Sequence, residues 1–455
     1  MGGDNMDMVK PFIENILYPI MEKKNGNKIR ENIKELLNSQ KLDTIELKML
    51  QEEKLKRLLL ECIKNVPAYK KYDYLLDEIE SDVRSAFLKF PVLNKVEFRN
   101  NSETFLNNTT PKSKLIPNIT GGSTSEPVKF FMDRYTVEYY EAARWRGLSW
   151  WGITPGSRSV MIWGNPLELN QAEQKKYRMK EKWLKNRIII PAYSLKPENM
   201  AEYVNKIIKF KPEYLYGYAS ALHAFASLML QEKLKFPLKL KAIISTSETL
   251  HDFQREVIEE AFNCPVVNEY GARDGGILAY QCPCGNMHIT AENAILEVVD
   301  PKTFKPLAFG ESGILLVTDL NNFSMPRLRY QIGDRAVLTD RNCQCKMGLP
   351  ILEKIDGRED DMFVTVDGEL IHGHIFNHIS RSIEAIQKFQ IIQYSPLQAE
   401  LKIIKREGYD VKEIDKFIIG VQELLPKSKI DVKFVDDIPV TASGKYRYAI
   451  RKFQI

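Results

Sequence analysis

At 455 residues the chain exceeds one small domain and fits two or three units of ordinary size. Its 44% hydrophobic and 27% charged residues suit a globular protein with a sizeable core and exclude a disordered or low-complexity chain. A net charge of +5, from 65 basic and 60 acidic residues, gives no basis for nucleic-acid or membrane binding.

The first residues, MGGDNMDMVKPF, lack the basic-then-apolar order of a secretory signal, and Met6 stands where myristoylation needs a small hydroxyl. No apolar run approaches membrane-span length, so a cytoplasmic location is expected. Apolar residues at three- and four-residue steps predict helices over 28–37 and 42–66, the second ended by Pro67. Residues 90–95 form a connector. From Leu115 the pattern changes. Strands are expected at 159–163, 187–191, 214–218, 241–245 and 265–269, alternating with helices at 200–210, 220–231 and 252–262. Such alternation predicts α/β layering with the site on loops at the strand ends. Residues 294–340 turn β-rich. Gly357-Arg358-Glu359-Asp360-Asp361 is a charged, glycine-led segment compatible with a hinge or a surface turn.

Between Leu115 and the strand-like residues after Val128 lies Thr120-Gly121-Gly122-Ser123-Thr124-Ser125-Glu126-Pro127. Two glycines free the backbone so that successive amides and hydroxyls can turn toward one anion, although the same composition also suits a hairpin turn. No Gly-Lys-Ser/Thr follows, so this is not a Walker loop. Four of the six cysteines form two close pairs, Cys282/Cys284 and Cys343/Cys345. That layout suits a tetrahedral structural zinc better than disulfides in a reducing compartment, with His288 as a rival fourth ligand. Cys62 and Cys264 sit in apolar surroundings and are expected to be inert core residues. His374 and His378, four apart, have the spacing of two ligands on one helix face but also suit packing histidines near the hinge.

Further along come Tyr216-Gly217-Tyr218-Ala219-Ser220, Ser245-Thr246-Ser247-Glu248, Asn268-Glu269-Tyr270-Gly271-Ala272-Arg273-Asp274, Arg327-Leu328-Arg329-Tyr330-Gln331-Ile332-Gly333-Asp334 and a terminal Ser443-Gly444-Lys445. In this order these segments resemble the adenylate-forming enzymes: acyl-coenzyme A synthetases, peptide-synthetase adenylation domains and luciferases. The closer likeness is to the phenylacetate–coenzyme A ligase-like group and its capsular-polysaccharide biosynthesis (CapK-type) branch, and it covers nearly the whole chain.

The resemblance implies a layered α/β adenylation domain over 1–356, with a helical lead-in over 1–100 and a zinc element within 282–345. A small mobile α+β domain over 357–455 would follow. It implies ATP-dependent activation of a carboxylic acid as an acyl-adenylate with Mg²⁺, release of pyrophosphate, and transfer to coenzyme A. Transfer to an amine of a sugar or amino acid is the alternative, and a degenerate nucleotide-binding protein a second one. A homodimer is compatible with each. Thr120, Gly121, Gly122, Ser123 and Thr124 correspond to the phosphate-holding loop. Ser247, Glu248, Asn268, Glu269, Tyr270 and Gly271 correspond to the adenine enclosure. Asp334 and Arg358 correspond to ribose and phosphate contacts, Asp360 to the hinge, and Lys445 to the lysine that reaches the reacting carboxylate. Tyr216, Gly217, Tyr218, Ser220 and Ala272 would line the acid pocket, with Gly217 and Ala219 leaving room for a ring or branched chain. The chain departs from the family pattern at Gly121 and Ser125. It also has Asp274 where a glutamate usually holds Mg²⁺, and one methylene less suits contact through water.

Overall fold

The computed structural model describes residues 9–119, 128–163, 171–192, 195–358, 362–381, 383–410, 412–439 and 446–453. After helical turns over residues 9–25 come the helices Ile29–Ser39 and Thr44–Asn65. Asp43 caps the second by accepting from the Ile45 and Glu46 amides, while Glu46 reaches back to the Asp43 amide. Its buried Leu55, Leu58, Leu59 and Cys62 recur at helical spacing and anchor the first hydrophobic core.

Strands β1 (Ile116–Ile119) and β2 (Lys129–Met132) pair antiparallel. The glycine- and hydroxyl-rich residues 120–127 between them lie outside the described residues. Eleven strands then build one sheet. Its parallel part comprises β3 (Ser159–Trp163), β4 (Arg187–Pro191), β5 (Tyr214–Tyr218), β6 (Ala242–Thr246) and β7 (Val266–Ala272). Next come β8 (Gly276–Gln281), β9 (Met287–Ile289), β10 (Ala294–Val299), β11 (Ser312–Asp319), β12 (Tyr330–Thr339) and β13 (Ile351–Arg358). The spatial order is β10-β11-β12-β13-β9-β8-β7-β6-β5-β3-β4.

Every residue of β5 and β6 is buried, as expected for parallel strands covered on both faces. On one face Val160, Ile162, Leu215 and Ile243 pack against Val204, Leu222, Phe225 and Ile258 of the helices Pro197–Phe210, Ala219–Gln231 and Asp252–Phe262. On the other, Tyr216, Ile244, Val267 and Tyr280 pack against Ala142, Ala143 and Leu148 of the helix Arg134–Ser149. That helix approaches closely because residue 147 is glycine: a Cβ there would lie 2.2 Å from the Tyr280 ring. Arg146 of the same helix is buried in an ion pair with Glu292 (2.6 Å), whose carboxylate also accepts from Ser39 Oγ at 2.7 Å.

The chain divides, over most of its length, into two compact units between Ile355 and Asp356. In the second, β16 (Ile386–Ser395), β17 (Gln398–Lys405), β18 (Lys429–Phe434) and β19 (Ala449–Arg451) form a sheet in the order β18-β17-β16-β19. A hairpin of β14 (Met362–Val364) and β15 (Leu370–His372) precedes it. Gln393, buried in β16, ties that hairpin to the sheet by donating to Val364 O (2.7 Å) and accepting from Val364 N (3.0 Å). Phe417 and Val421 of the helix Lys412–Leu424 pack on Phe389 and Ile391. Tyr446 is pinned to the same sheet: its hydroxyl donates to Phe389 O and accepts from Phe389 N. The Asp360 hinge position lies outside the described residues. His374 and His378 stand on the helix His374–Arg381.

Candidate functional site

Parallel strands put their carboxyl ends at one edge of the sheet, where ligands of open α/β folds bind. Here the register aligns Gly217 with Ser245, and Ser245 with Asn268. The three segments singled out at Tyr216–Ser220, Ser247–Glu248 and Asn268–Gly271 therefore converge. Ser247, immediately after β6, holds a left-handed backbone (φ +65°), a conformation costly for a non-glycine residue and concentrated at functional turns. Glu248 accepts from the Ser220 amide at 2.8 Å, so a carboxylate from one loop caps the helix that follows β5.

Glu269 does not share a face with Tyr270. Its Oε1 accepts from Tyr216 Oη at 2.7 Å and Thr246 Oγ1 at 2.9 Å, and its Oε2 lies 3.4 Å from Arg144 Nε. Tyr270, on the opposite side of the strand, packs against the first hydrophobic core. Glu269 thus joins the Tyr216 wall under the helix Arg134–Ser149, apart from Tyr270, with which it was grouped. Burial pushes the Tyr216 phenol up, which keeps it a neutral donor at this carboxylate. Gly217 gives no room for an acyl group. A Cβ there would lie 2.8 Å from Ile162 O and 3.1 Å from Leu222 Cγ, so its missing side chain serves strand and helix packing. Ala219 is likewise sealed in the interior. At Gly271 a Cβ would stand 2.5 Å from Gly276 O, beside the irregularity in β7–β8 pairing that turns the chain toward Asp274.

Asp274 is buried, and its Oδ2 has no hydrogen-bond partner among the described residues. The Asp274 carbonyl accepts from Arg327 Nη2 at 2.8 Å, and Arg327 lies over the rings of Phe98, Phe130 and Tyr330. A buried carboxylate oxygen left open suits a hard cation such as Mg²⁺. Asp334 and Arg358 stand on the neighbouring strands β12 and β13. Thr120, Gly121, Gly122, Ser123, Thr124 and Lys445 lie outside the described residues. Arg144 and Tyr280 were not singled out by motif, and Arg327 opens the quoted segment that ends at Asp334 but was given no role.

The cysteine cluster is Cys282, Cys343, Cys345 and His288, whose ligand atoms lie within 4.8 Å of one another. Cys284 is exposed and outside it, so His288, the rival fourth ligand, takes the place given to Cys284. The turn is shaped by Gly285, which has φ +87° and donates to Cys282 O at 2.9 Å. His288 Nδ1 lies 3.0 Å from Leu349 O and Nε2 lies 3.1 Å from Cys345 Sγ. A backbone carbonyl holding the Nδ1 proton leaves Nε2 as the metal-facing donor. Burial opposes a Cys343 thiolate, but hydrogen bonds from Cys345, Asn286 and His288 outweigh it and lower that thiol to about 6.

A family model described as the CapK C-terminal domain matches residues 363–452. Protein CapK of Staphylococcus aureus is 27% identical over 393 residues, 80% of each chain. The phenylacetate–coenzyme A ligase of Thermus thermophilus is 25% identical over 397 residues, 82% of this chain and 84% of that one. Among solved structures, 2-hydroxyisobutyryl-CoA ligase in its postadenylation state superposes with a TM-score of 0.67 at 20% identity, over 88% of both chains. No described helix is long and apolar enough to cross a membrane.

Beside Asp274, Tyr140 donates to Asp319 Oδ2, and Asp319 Oδ1 accepts from the Asn321 amide at 2.9 Å. Burial raises the Asp319 carboxyl from 3.8 to about 6 in spite of these donors. A native state that holds a proton more tightly than the unfolded chain loses stability as pH rises from about 3.8 through about 6. Asp319→Asn removes that titration. The stability of wild type relative to the variant, from urea unfolding, is expected to fall steadily between about pH 4 and about pH 7. A gap independent of pH contradicts the assignment.

Proposed function

We propose, since the chain belongs to the adenylate-forming ligases and to their CapK- and phenylacetate–coenzyme A ligase-like group, that it activates a carboxylic acid with ATP. The products of this first step are an acyl-adenylate and pyrophosphate, and coenzyme A then takes the acyl group. The convergence of Tyr216–Ser220, Ser247–Glu248 and Asn268–Gly271 at one sheet edge carries the reading.

The residue types suit the chemistry. Attack of a carboxylate on the α-phosphate builds negative charge, which positioned donors and cations stabilise more than the ground state. The Thr120–Thr124 loop would hold the phosphates and Lys445 would meet the reacting carboxylate. Tyr446, anchored to β16, fixes the chain immediately after that lysine. Asp274, with its open carboxylate oxygen, would hold Mg²⁺, which supplies charge neutralisation at the phosphates. Ser247, Glu248 and Tyr270 would border the nucleotide, Asp334 and Arg358 would contact ribose and phosphate, and Asp360 would be the pivot of a carboxy-terminal domain.

Acid-dependent exchange of labelled pyrophosphate into ATP tests this step before any acceptor is known. Exchange is expected with wild type and Mg²⁺, and Lys445→Ala should lower it by about 10²- to 10³-fold. Asp274→Ala should raise the Mg²⁺ requirement. Silence over aryl, short-chain, hydroxy and amino acids in protein that binds ATP would favour a nucleotide-binding protein without turnover. With an activating acid in hand, thioester formation supports coenzyme A as acceptor, whereas product only with an amino sugar or amino acid favours the amine.

Zinc is the ion proposed for Cys282, His288, Cys343 and Cys345, a donor set of three sulfurs and one imidazole nitrogen. About one zinc per chain is expected from elemental analysis. Cys282→Ser and His288→Ala should lose it and lower the unfolding temperature, while Cys284→Ser should retain it. Loss of zinc in Cys284→Ser with retention in His288→Ala would overturn the ligand set.

A further inference from the structure

We propose that the helix Gln171–Lys185 lies on the surface of a membrane rich in anionic lipid, with Met179 and Trp183 dipping between the headgroups. The inference is independent of the adenylation reading. A net charge of +5 over the whole chain gives no basis for such contact, but the charge is not spread evenly. This helix leads from β3 to β4, the edge strand of the large sheet. It turns Glu181 inward, where the buried carboxylate pairs with Lys185 at 2.8 Å and with Arg187 of β4 at 3.6 Å. Lys175, Lys176, Arg178, Lys180, Lys182 and Lys185 are all exposed. The solvent side of residues 175–185 thus carries six cations and no carboxylate.

Two large apolar side chains stand in the middle of these charges: Met179 is 53% and Trp183 66% exposed. Four residues apart, they share one face. At about 100° per residue, Lys175 and Lys182 flank them on one side and Lys176 and Lys180 on the other. Single exposed apolar residues are ordinary, but an indole and a thioether centred among cations match a bilayer interface. There the indole sits at headgroup level while lysine stems reach past it to the phosphates. The turn Ile13–Leu17 lies against this helix and exposes Ile16, with Phe12 beside it, which adds apolar surface nearby. Five of the six cations are lysines. Flexible point charges suit a diffuse negative surface, whereas nucleic acid is read chiefly by the paired donors of arginine. No described helix could cross the bilayer, so the contact is peripheral.

Flotation of the full chain with lipid vesicles tests this. At low salt the protein is expected to rise with mixed phosphatidylglycerol and phosphatidylcholine vesicles and to stay behind with phosphatidylcholine alone. Added salt should release it. Lys175→Gln/Lys180→Gln/Lys182→Gln should weaken partition by roughly 10²-fold, about fivefold for each lysine. Met179→Ser/Trp183→Ser should weaken it by roughly tenfold. All five side chains are exposed, so both variants should keep the wild-type melting temperature. Equal flotation with neutral vesicles, no flotation with anionic ones, or flotation that either variant retains in full would overturn the proposal. So would tighter binding to a single-stranded RNA oligonucleotide at the same salt, lost in the lysine variant, which would assign the face to nucleic acid.

Discussion

Glu269 fastens three parallel strands to the helix that covers them. Its carboxylate takes hydroxyls from β5 and β6 and faces a guanidinium from the helix Arg134–Ser149. Parallel strands supply no covalent or tight-turn link between neighbours, so their ends keep register only through backbone ladders and contacts of this kind. The loops at those ends inherit their positions from it: Tyr218 leads into the Ser220 amide, and Thr246 into the left-handed Ser247. A buried charge with one oxygen unsatisfied is costly unless something completes it.

A second set of cross-links supports the edge from the other side. β7 pairs with β8, β8 with β9, and β9 with β13, so the strand that carries Asn268–Gly271 is continuous with the segment that ends in the cysteine cluster. Cys282 follows β8, His288 lies on β9, and Leu349, which holds the His288 ring, precedes β13. An ion bound there would cross-link the end of β8 to β9 and to the segment that leads into β13. Arg327 acts closer to the site, tying the Asp274 backbone to an aromatic shell of Phe98, Phe130 and Tyr330.

The elements that were legible in the sequence are those whose burial pattern is unambiguous. Strands such as Ser159–Trp163 and the helix Asp252–Phe262 fall on the expected residues because apolar runs and caps mark them. Side-chain direction was less legible. Glu269 and Tyr270 are neighbours in one motif, yet alternation along a strand sends them to opposite faces, and only the cross-strand partners show which face meets which helix. Gly217 suggested room because a glycine lacks a side chain, whereas the space belongs to Ile162 and Leu222 of adjoining elements. The choice between Cys284 and His288 needed the β9–β13 pairing, which no spacing within either cysteine pair encodes. Arg144 carried no motif at all; its role follows from packing of the helix on the sheet.

In the proposed reaction ATP is cleaved between its α- and β-phosphates. The most direct measurement follows α-labelled ATP in the presence of Mg²⁺ and an activating acid with its acceptor, separating the labelled nucleotides over time. Label is expected to appear as AMP, one for each acid consumed, with an acyl-adenylate formed when the acceptor is withheld. Label accumulating as ADP, with acid consumed at the same rate, would contradict it.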